Sequence, residues 1–140
     1  MAEGNYKAML VTCIDPRFVA HAHRYMTERG LAGRYSHLAI AGAGIAGVAA
    51  AFETWRPAFW ANVETSVELH HIKKLIVLDH CDCGAAKIAY GAASIEAPAG
   101  ETELHRRVLA ELVRQAGWRV PKIEVECVLM DLEGRVRPLS

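Results

Sequence analysis

Two short segments carry most of the chemistry this chain can do: Cys13-Ile14-Asp15-Pro16-Arg17 and His80-Cys81-Asp82-Cys83-Gly84. Cys13, His80 and Cys83 offer two thiolates and one imidazole to a single metal ion, with the Asp15 carboxylate and the Arg17 guanidinium beside it. A catalytic zinc takes three protein ligands and keeps a fourth position for water; a structural zinc usually takes four. Each residue alone has a plainer use. A cysteine in a buried strand is a small hydrophobe, and Asp-Pro is a turn signal. It is the joint occurrence that points to a metal.

The elements around these segments are those of a layered α/β protein. Lys7 to Cys13 is a short apolar run suited to a strand buried on both faces. Phe18, Ala22, Tyr25 and Met26 follow at helical spacing, and Gly30 ends that helix. His37 to Ala41 reads as a second strand. Asn62 is placed to cap a helix that carries Val63 and Val67 on one face. Lys74 to Asp79 is a third buried strand, with His80 just past its end, and a short helix follows from Ala85 to Tyr90. Ala92 to Gly100, containing Pro98, reads as a loop. Leu104, Val108, Leu112 and Ala116 form an amphipathic stripe that Gly117 terminates. Ile123 to Met130 is a fourth strand, and Asp131 to Gly134 turns into a short last strand, Arg135 to Arg137.

Strands alternating with helices predict a mainly parallel central sheet of four strands plus a short fifth, with helices on both faces. Residues 1–140 read as one domain. Sites in such sheets form at the carboxyl ends of strands, where both motif segments fall. If the first and third strands are neighbours, the three ligands converge at one edge. Cys83 then opens a helix, where the helix dipole and a cation both favour thiolate.

The pair C-x-D-x-R and H-x-x-C resembles the β-class carbonic anhydrases. Cys13, Asp15 and Arg17 match the first half, His80 and Cys83 the second. The order of strands and helices is similar too, and Val128 to Val136 looks like the family's final strand and hairpin. The resemblance runs from about Lys7 to Val136. It implies Zn2+ held by Cys13, His80 and Cys83, and reversible hydration of CO2 to bicarbonate by hydroxide generated at the metal. Asp15 would orient the attacking oxygen by accepting its hydrogen bond, and Arg17 would pair with Asp15. In some members the aspartate instead closes the site. The resemblance also implies a homodimer or higher homo-oligomer, and leaves CS2 and COS as alternative substrates because related zinc hydrolases use a similar motif pair. A non-catalytic, zinc-stabilised module is a further alternative, as is redox work by Cys81-Asp82-Cys83, although Cys83 is better used by a metal.

The chain departs from the family in more than one place: it is short, and Cys81 stands where the family often has a small hydroxyl or another polar residue. Ala41-Gly42-Ala43-Gly44 stands where the family commonly has Arg-Asn-Ala-Gly, so two polar side chains are lost. That stretch also begins Gly42-Ala43-Gly44-Ile45-Ala46-Gly47, a G-x-G-x-x-G sequence after a predicted strand. A dinucleotide site would need an acidic residue about 20 positions on, at the end of a strand. Glu64 and Glu68 have that spacing but fall in a helical pattern, so close packing of small residues is the better reading.

Composition excludes other classes. Sixteen basic residues balance sixteen acidic ones, and no charge run suggests nucleic-acid or membrane contact. Met1 to Tyr6 lacks the cationic start and apolar core of an export signal, and the apolar stretch from Leu38 to Phe52 is too short for a membrane span. Four cysteines without an export signal suit metal or thiol chemistry in the cytoplasm better than a disulfide framework. Cys81 is read as a buried thiol rather than a ligand. His21, His23, His70 and His71 are read as solvated, and Trp55, Phe59 and Trp60 as core or interface.

Overall fold

The structure, a computed structural model, describes residues 5–139. The opening residues 1–4, read above as lacking an export signal, lie outside them. Five strands form one sheet: β1 Ala8–Thr12, β2 Tyr35–Ala39, β3 Lys74–His80, β4 Glu124–Met130 and β5 Val136–Pro138. Their order is β2-β1-β3-β4-β5, parallel except for the last pair. Four helices connect them: α1 Val19–Glu28, α2 Arg56–His70, α3 Gly84–Tyr90 and α4 Pro98–Arg119.

The alternation along β1 shows why two layers of helix are needed. Ala8 and Leu10 pack with Ile76, Leu78 and the α1 residues Ala22 and Met26. Met9 and Val11 pack on the other face with Phe59 and Trp60 of α2 and Leu109 and Leu112 of α4. Leu10, Val11, Ile76 and Val77 have no exposed surface, and burying each contributes about 1.5–3 kcal/mol. Among the described residues, no helix is long and apolar enough to cross a membrane.

Two helices begin earlier than the sequence reading placed them, and for the same reason. Asn62 does not cap α2; it lies within it, its Nδ2 donating to the Ala58 carbonyl at 2.8 Å. The region from Ala92 to Gly100 is not a loop throughout: a 3-10 turn spans Ala92–Ile95, and α4 starts at Pro98. Pro57 and Pro98 both sit in a first helical turn, where a missing N–H costs nothing and the fixed φ favours the helix. At the other end, α4 runs through Gly117 to Arg119.

The β1–β3 adjacency on which the site depends is present, with Thr12 opposite Leu78 in parallel register. The two chains of backbone therefore leave the sheet side by side at its carboxyl edge. His80 is the last residue of β3 rather than the first beyond it.

Candidate metal centre

Cys13 follows β1 and Cys83 caps α3, while His80 ends β3 between them. One ligand atom from each lies within 4.8 Å of the others. Cys81 is outside this group. Its N–H donates to the Met130 carbonyl at 2.9 Å, and burial together with nearby Glu101 pushes its thiol up to about 11. The turn that spaces His80 from Cys83 puts Asp82 at φ 55°, a left-handed conformation that aspartate tolerates better than most residues.

The donor set fits a soft divalent cation. His80 is 1% exposed, and its Nδ1 donates to the Cys81 carbonyl at 2.7 Å. That bond leaves Nε2 as the nitrogen with the lone pair. Nε2 is buried and makes no ordinary hydrogen bond to the protein. The His80 ring stacks on Phe18 at a centroid distance of 4.0 Å, which fixes its orientation.

The two thiols share charge unequally. Hydrogen bonding from the Cys83 thiol is the largest influence on Cys13. Burial opposes it, and His80 and the Gly42 N–H add to it, bringing Cys13 down from 9.0 to about 4. The Gly42 N–H donates to Cys13 Sγ at 3.3 Å. Cys83 is pushed the other way by that same contact with Cys13, and burial adds to the shift. With no cation between them, two adjacent thiolates repel, and the hydrogen bond between the sulfurs leaves the charge on Cys13. A cation between the sulfurs removes the reason for Cys83 to keep its proton. Burial lowers the His80 pKa, but contact with Cys13, the Cys81 carbonyl and Asp15 outweighs it and raises the pKa overall.

Asp15 and Arg17 lie beside the three donors. The Arg17 Nη2 donates to Asp15 Oδ2 at 2.8 Å, and its backbone N–H donates to Oδ1 at 2.9 Å. Asp15 Oδ2 stands 3.8 Å from His80 Nε2. Arg17 hydrogen bonding holds the Asp15 carboxyl at about 2. Arg17 also spans to the second segment, donating through Nη1 to Asp82 Oδ2 and through Nη2 to the Asp82 carbonyl, each at 3.1 Å.

A cleft of about 200 Å3 adjoins these groups. Ile14, Phe18, Val19, Ala22, Ala39 and Leu78 line it, together with Thr12, His37, Cys13 and His80. It suits a small, uncharged molecule. Thr12 Oγ1 and His37 Nε2 are 2.7 Å apart at its polar corner.

Three polar residues behind the site escaped the sequence reading. Asp79, 1% exposed, accepts from the Gly44 N–H at 2.9 Å through Oδ1 and from His105 Nδ1 at 2.7 Å through Oδ2. Buried Glu101 accepts from the Asp82 N–H at 2.6 Å. A charge inside the apolar run of β3 was the available signal, since a buried carboxylate requires partners.

The G-x-G-x-x-G segment forms a 3-10 turn, Ala43–Gly47, buried at every residue. Gly44 abuts Val77 and Leu109, and Gly47 abuts Phe59. Its N–H groups serve Cys13 and Asp79, so the turn supports the cysteine instead of cradling a phosphate.

Comparisons with known proteins agree with this architecture. The model of a family described as "Putative carbonic anhydrase" matches residues 3–129. The chain is 28% identical over 131 residues to an uncharacterized protein of Rickettsia conorii, covering 94% of this chain and 70% of that protein. A carbonic anhydrase of Streptococcus mutans has a similar fold, with TM-score 0.64 and 21% identity over 99% of this chain and 84% of that one. A pair of tetrameric β-carbonic anhydrases of Sordaria macrospora gives TM-score 0.59 and 18% identity, over 98% and 82% of the two chains. A carbon disulfide hydrolase in its apo form gives 0.62 and 15%, over 96% and 79%. From the family match and the shared sheet and helix arrangement, the chain belongs to the carbonic anhydrase family as a divergent, β-class-like member.

Proposed function

We propose that this protein is a zinc-dependent carbonic anhydrase-like lyase that hydrates CO2 reversibly to bicarbonate. The observation that carries the reading is the convergence of Cys13, His80 and Cys83 donor atoms within 4.8 Å of one another, beside an apolar cleft. Bound there, zinc would supply a nucleophile at neutral pH by lowering the pKa of a water to about 7.

The chain's own residues do the rest. Cys13, His80 and Cys83 hold the ion, and the Cys81 carbonyl fixes the His80 tautomer. Asp15 accepts a hydrogen bond from the attacking oxygen and orients it. Arg17 keeps both Asp15 oxygens engaged, so the carboxylate stays charged and is held back from becoming a fourth ligand. The cleft walls formed by Ile14, Val19 and Leu78 exclude water from a linear apolar substrate. Loss of the two polar side chains at Ala41 and Gly42 is compensated in part by backbone: the Gly42 N–H supports Cys13 directly.

CS2 and COS share the linear, electrophilic carbon of CO2, and the likeness in fold to a carbon disulfide hydrolase keeps them as alternative substrates. A homodimer or higher homo-oligomer is the expected assembly. The edge strand β2 leaves one side unpaired in the sheet order, and Ile88 and Trp118 are 74% and 70% exposed.

Stopped-flow hydration of CO2 by zinc-loaded protein, with CS2 and COS run in parallel, tests the proposal. Turnover of CO2 at one zinc per chain supports it. Turnover of CS2 or COS alone reassigns the substrate. Stoichiometric zinc with no turnover of any of the three makes the protein a zinc-stabilised module and ends the enzyme reading.

A further inference from the structure

At the amino edge of the sheet, opposite the cysteines, the chain gathers cations. Lys7, Arg34 and Lys73 immediately precede β1, β2 and β3. The register that pairs Ala8 with both Tyr35 and Lys74 places the three in one row. Backbone bonds tie that row together: the Lys7 N–H donates to the Arg34 carbonyl at 2.8 Å, and the Lys73 N–H to the Lys7 carbonyl at 3.2 Å. Neighbouring strands run about 4.8 Å apart, so three like charges spring from positions spanning about 10 Å. Like charges directly opposite one another destabilise a sheet unless something compensates.

Two further cations are compensated. Arg29 pairs with Glu126, and Lys74 lies 3.7 Å from Glu126 and 3.9 Å from Glu124. Lys7, Arg34 and Lys73 are exposed and make no ion pair among the described residues. All five cations, with Glu124, line one concavity of about 350 Å3. The chain as a whole is neutral, so this concentration does not follow from a generally basic surface.

We propose that this concavity binds a small phosphorylated molecule carrying a diphosphate or two nearby phosphoryl groups. The donor chemistry is an arginine fork at one end of the row, which matches phosphate oxygens bidentately, with two lysine point charges beyond it. A row of about 10 Å suits two phosphoryl groups and is short for a tract of nucleic acid. No aromatic side chain lines the concavity, so it offers no stacking platform for a base. The site is separated from the cysteines by the five-residue length of β1, about 17 Å, and does not depend on the proposed enzymatic activity.

Calorimetric titration of the full chain at low salt with inorganic pyrophosphate and with inorganic phosphate tests this, with amide chemical shifts locating the site. The expected result is one saturable site, with pyrophosphate binding tighter than phosphate and shifts centred on Lys7, Arg34 and Lys73. Lys7→Glu combined with Lys73→Glu weakens binding by at least about tenfold, since each reversal replaces attraction by repulsion at short range. Arg106→Glu, at an exposed arginine of α4 that pairs with Glu103, leaves it unchanged. A milder variant, Lys73→Gln, guards against misfolding. Without ligand it melts at or above the parent temperature because repulsion is relieved, and pyrophosphate stabilises it less than the parent. Absence of saturable binding overturns the proposal. So does equal binding by the Glu variants, or shifts spread over lysines throughout the chain.

Discussion

Replacing Gly44 by alanine drives a methyl group into Leu109 Cδ2 and places it 2.9 Å from Val77 Cγ1 and 3.1 Å from Asp79 Oδ1. Val77 and Leu109 are 0% and 2% exposed, so neither can swing into solvent to make room. Gly44 does not use a left-handed backbone, and the penalty is therefore steric rather than conformational. Overpacking of this kind costs about 1–3 kcal/mol. If the turn retreats instead, the 2.9 Å bond from the Gly44 N–H to Asp79 is lost, leaving a buried carboxylate short of one partner at about 1.5–3 kcal/mol. Gly44→Ala should thus destabilise the protein by about 1–3 kcal/mol by either route, a fall in melting temperature of roughly 3–5 °C for each kcal/mol.

Gly117→Ala provides the opposite sign. Gly117 lies inside α4 with nothing within 4 Å of an added Cβ, so alanine should stabilise by about 0.5–1 kcal/mol through helix propensity. Urea unfolding followed by far-ultraviolet circular dichroism measures both. A Gly44→Ala protein within about 0.5 kcal/mol of the parent, the ordinary range for a surface substitution, would refute the packing argument. It would also reopen the possibility that the glycines face a ligand.

Other outcomes follow from the site. Cys83→Ala should lose zinc and Cys81→Ala retain it, since only Cys83 belongs to the three-residue group; elemental analysis giving equal loss would mean the ligand choice is wrong. Asp15→Asn should retain metal while turnover drops by about a hundredfold or more, the usual scale for a positioned proton acceptor; unchanged stopped-flow rates would remove Asp15 from the reaction. Acid should also destabilise the fold in a defined window. Arg17 holds Asp15 at about 2 against 3.8, and Arg114 holds Glu111 at about 2 against 4.5. Both folded values are depressed, so their contribution is complete above the unfolded values and is lost as pH falls toward 2. The urea midpoint should decline as pH falls from about 4.5 toward 2, less steeply in Arg17→Gln; a midpoint flat across that window would contradict this.

What the sequence revealed and concealed divides along the range of the interactions involved. Strand cores such as Lys74 to Asp79 were legible because a sheet covered on both faces needs continuous apolar runs, and their registers then bring Cys13 and His80 to one edge. The starts of α2 and α4 were missed although Pro57 and Pro98 announce them, because proline marks both a loop and a first helical turn. The contact of Asp79 with His105 joins β3 to α4, and that of Asp82 with Glu101 joins a turn to the same helix. Neither has a local signature, because each exists only once the chain is folded.

The charge on the thiols makes the same point within the site itself. Cys83 caps α3, a position whose local field favours a thiolate. Yet Cys13, with no helix of its own, is the cysteine held at about 4, because the Cys83 thiol and the Gly42 N–H both donate to it. Gly42 can do so because φ 87° turns its N–H toward the sulfur, a conformation that side chains with a Cβ rarely adopt. A glycine that reads in the sequence as part of a weak nucleotide fingerprint thereby becomes part of the cysteine's electrostatic support. A Cβ at Gly42 would stand 3.1 Å from Ala85 Cβ and 3.2 Å from Ile45 Cβ, so a substitution there should shift the turn and weaken its support of Cys13.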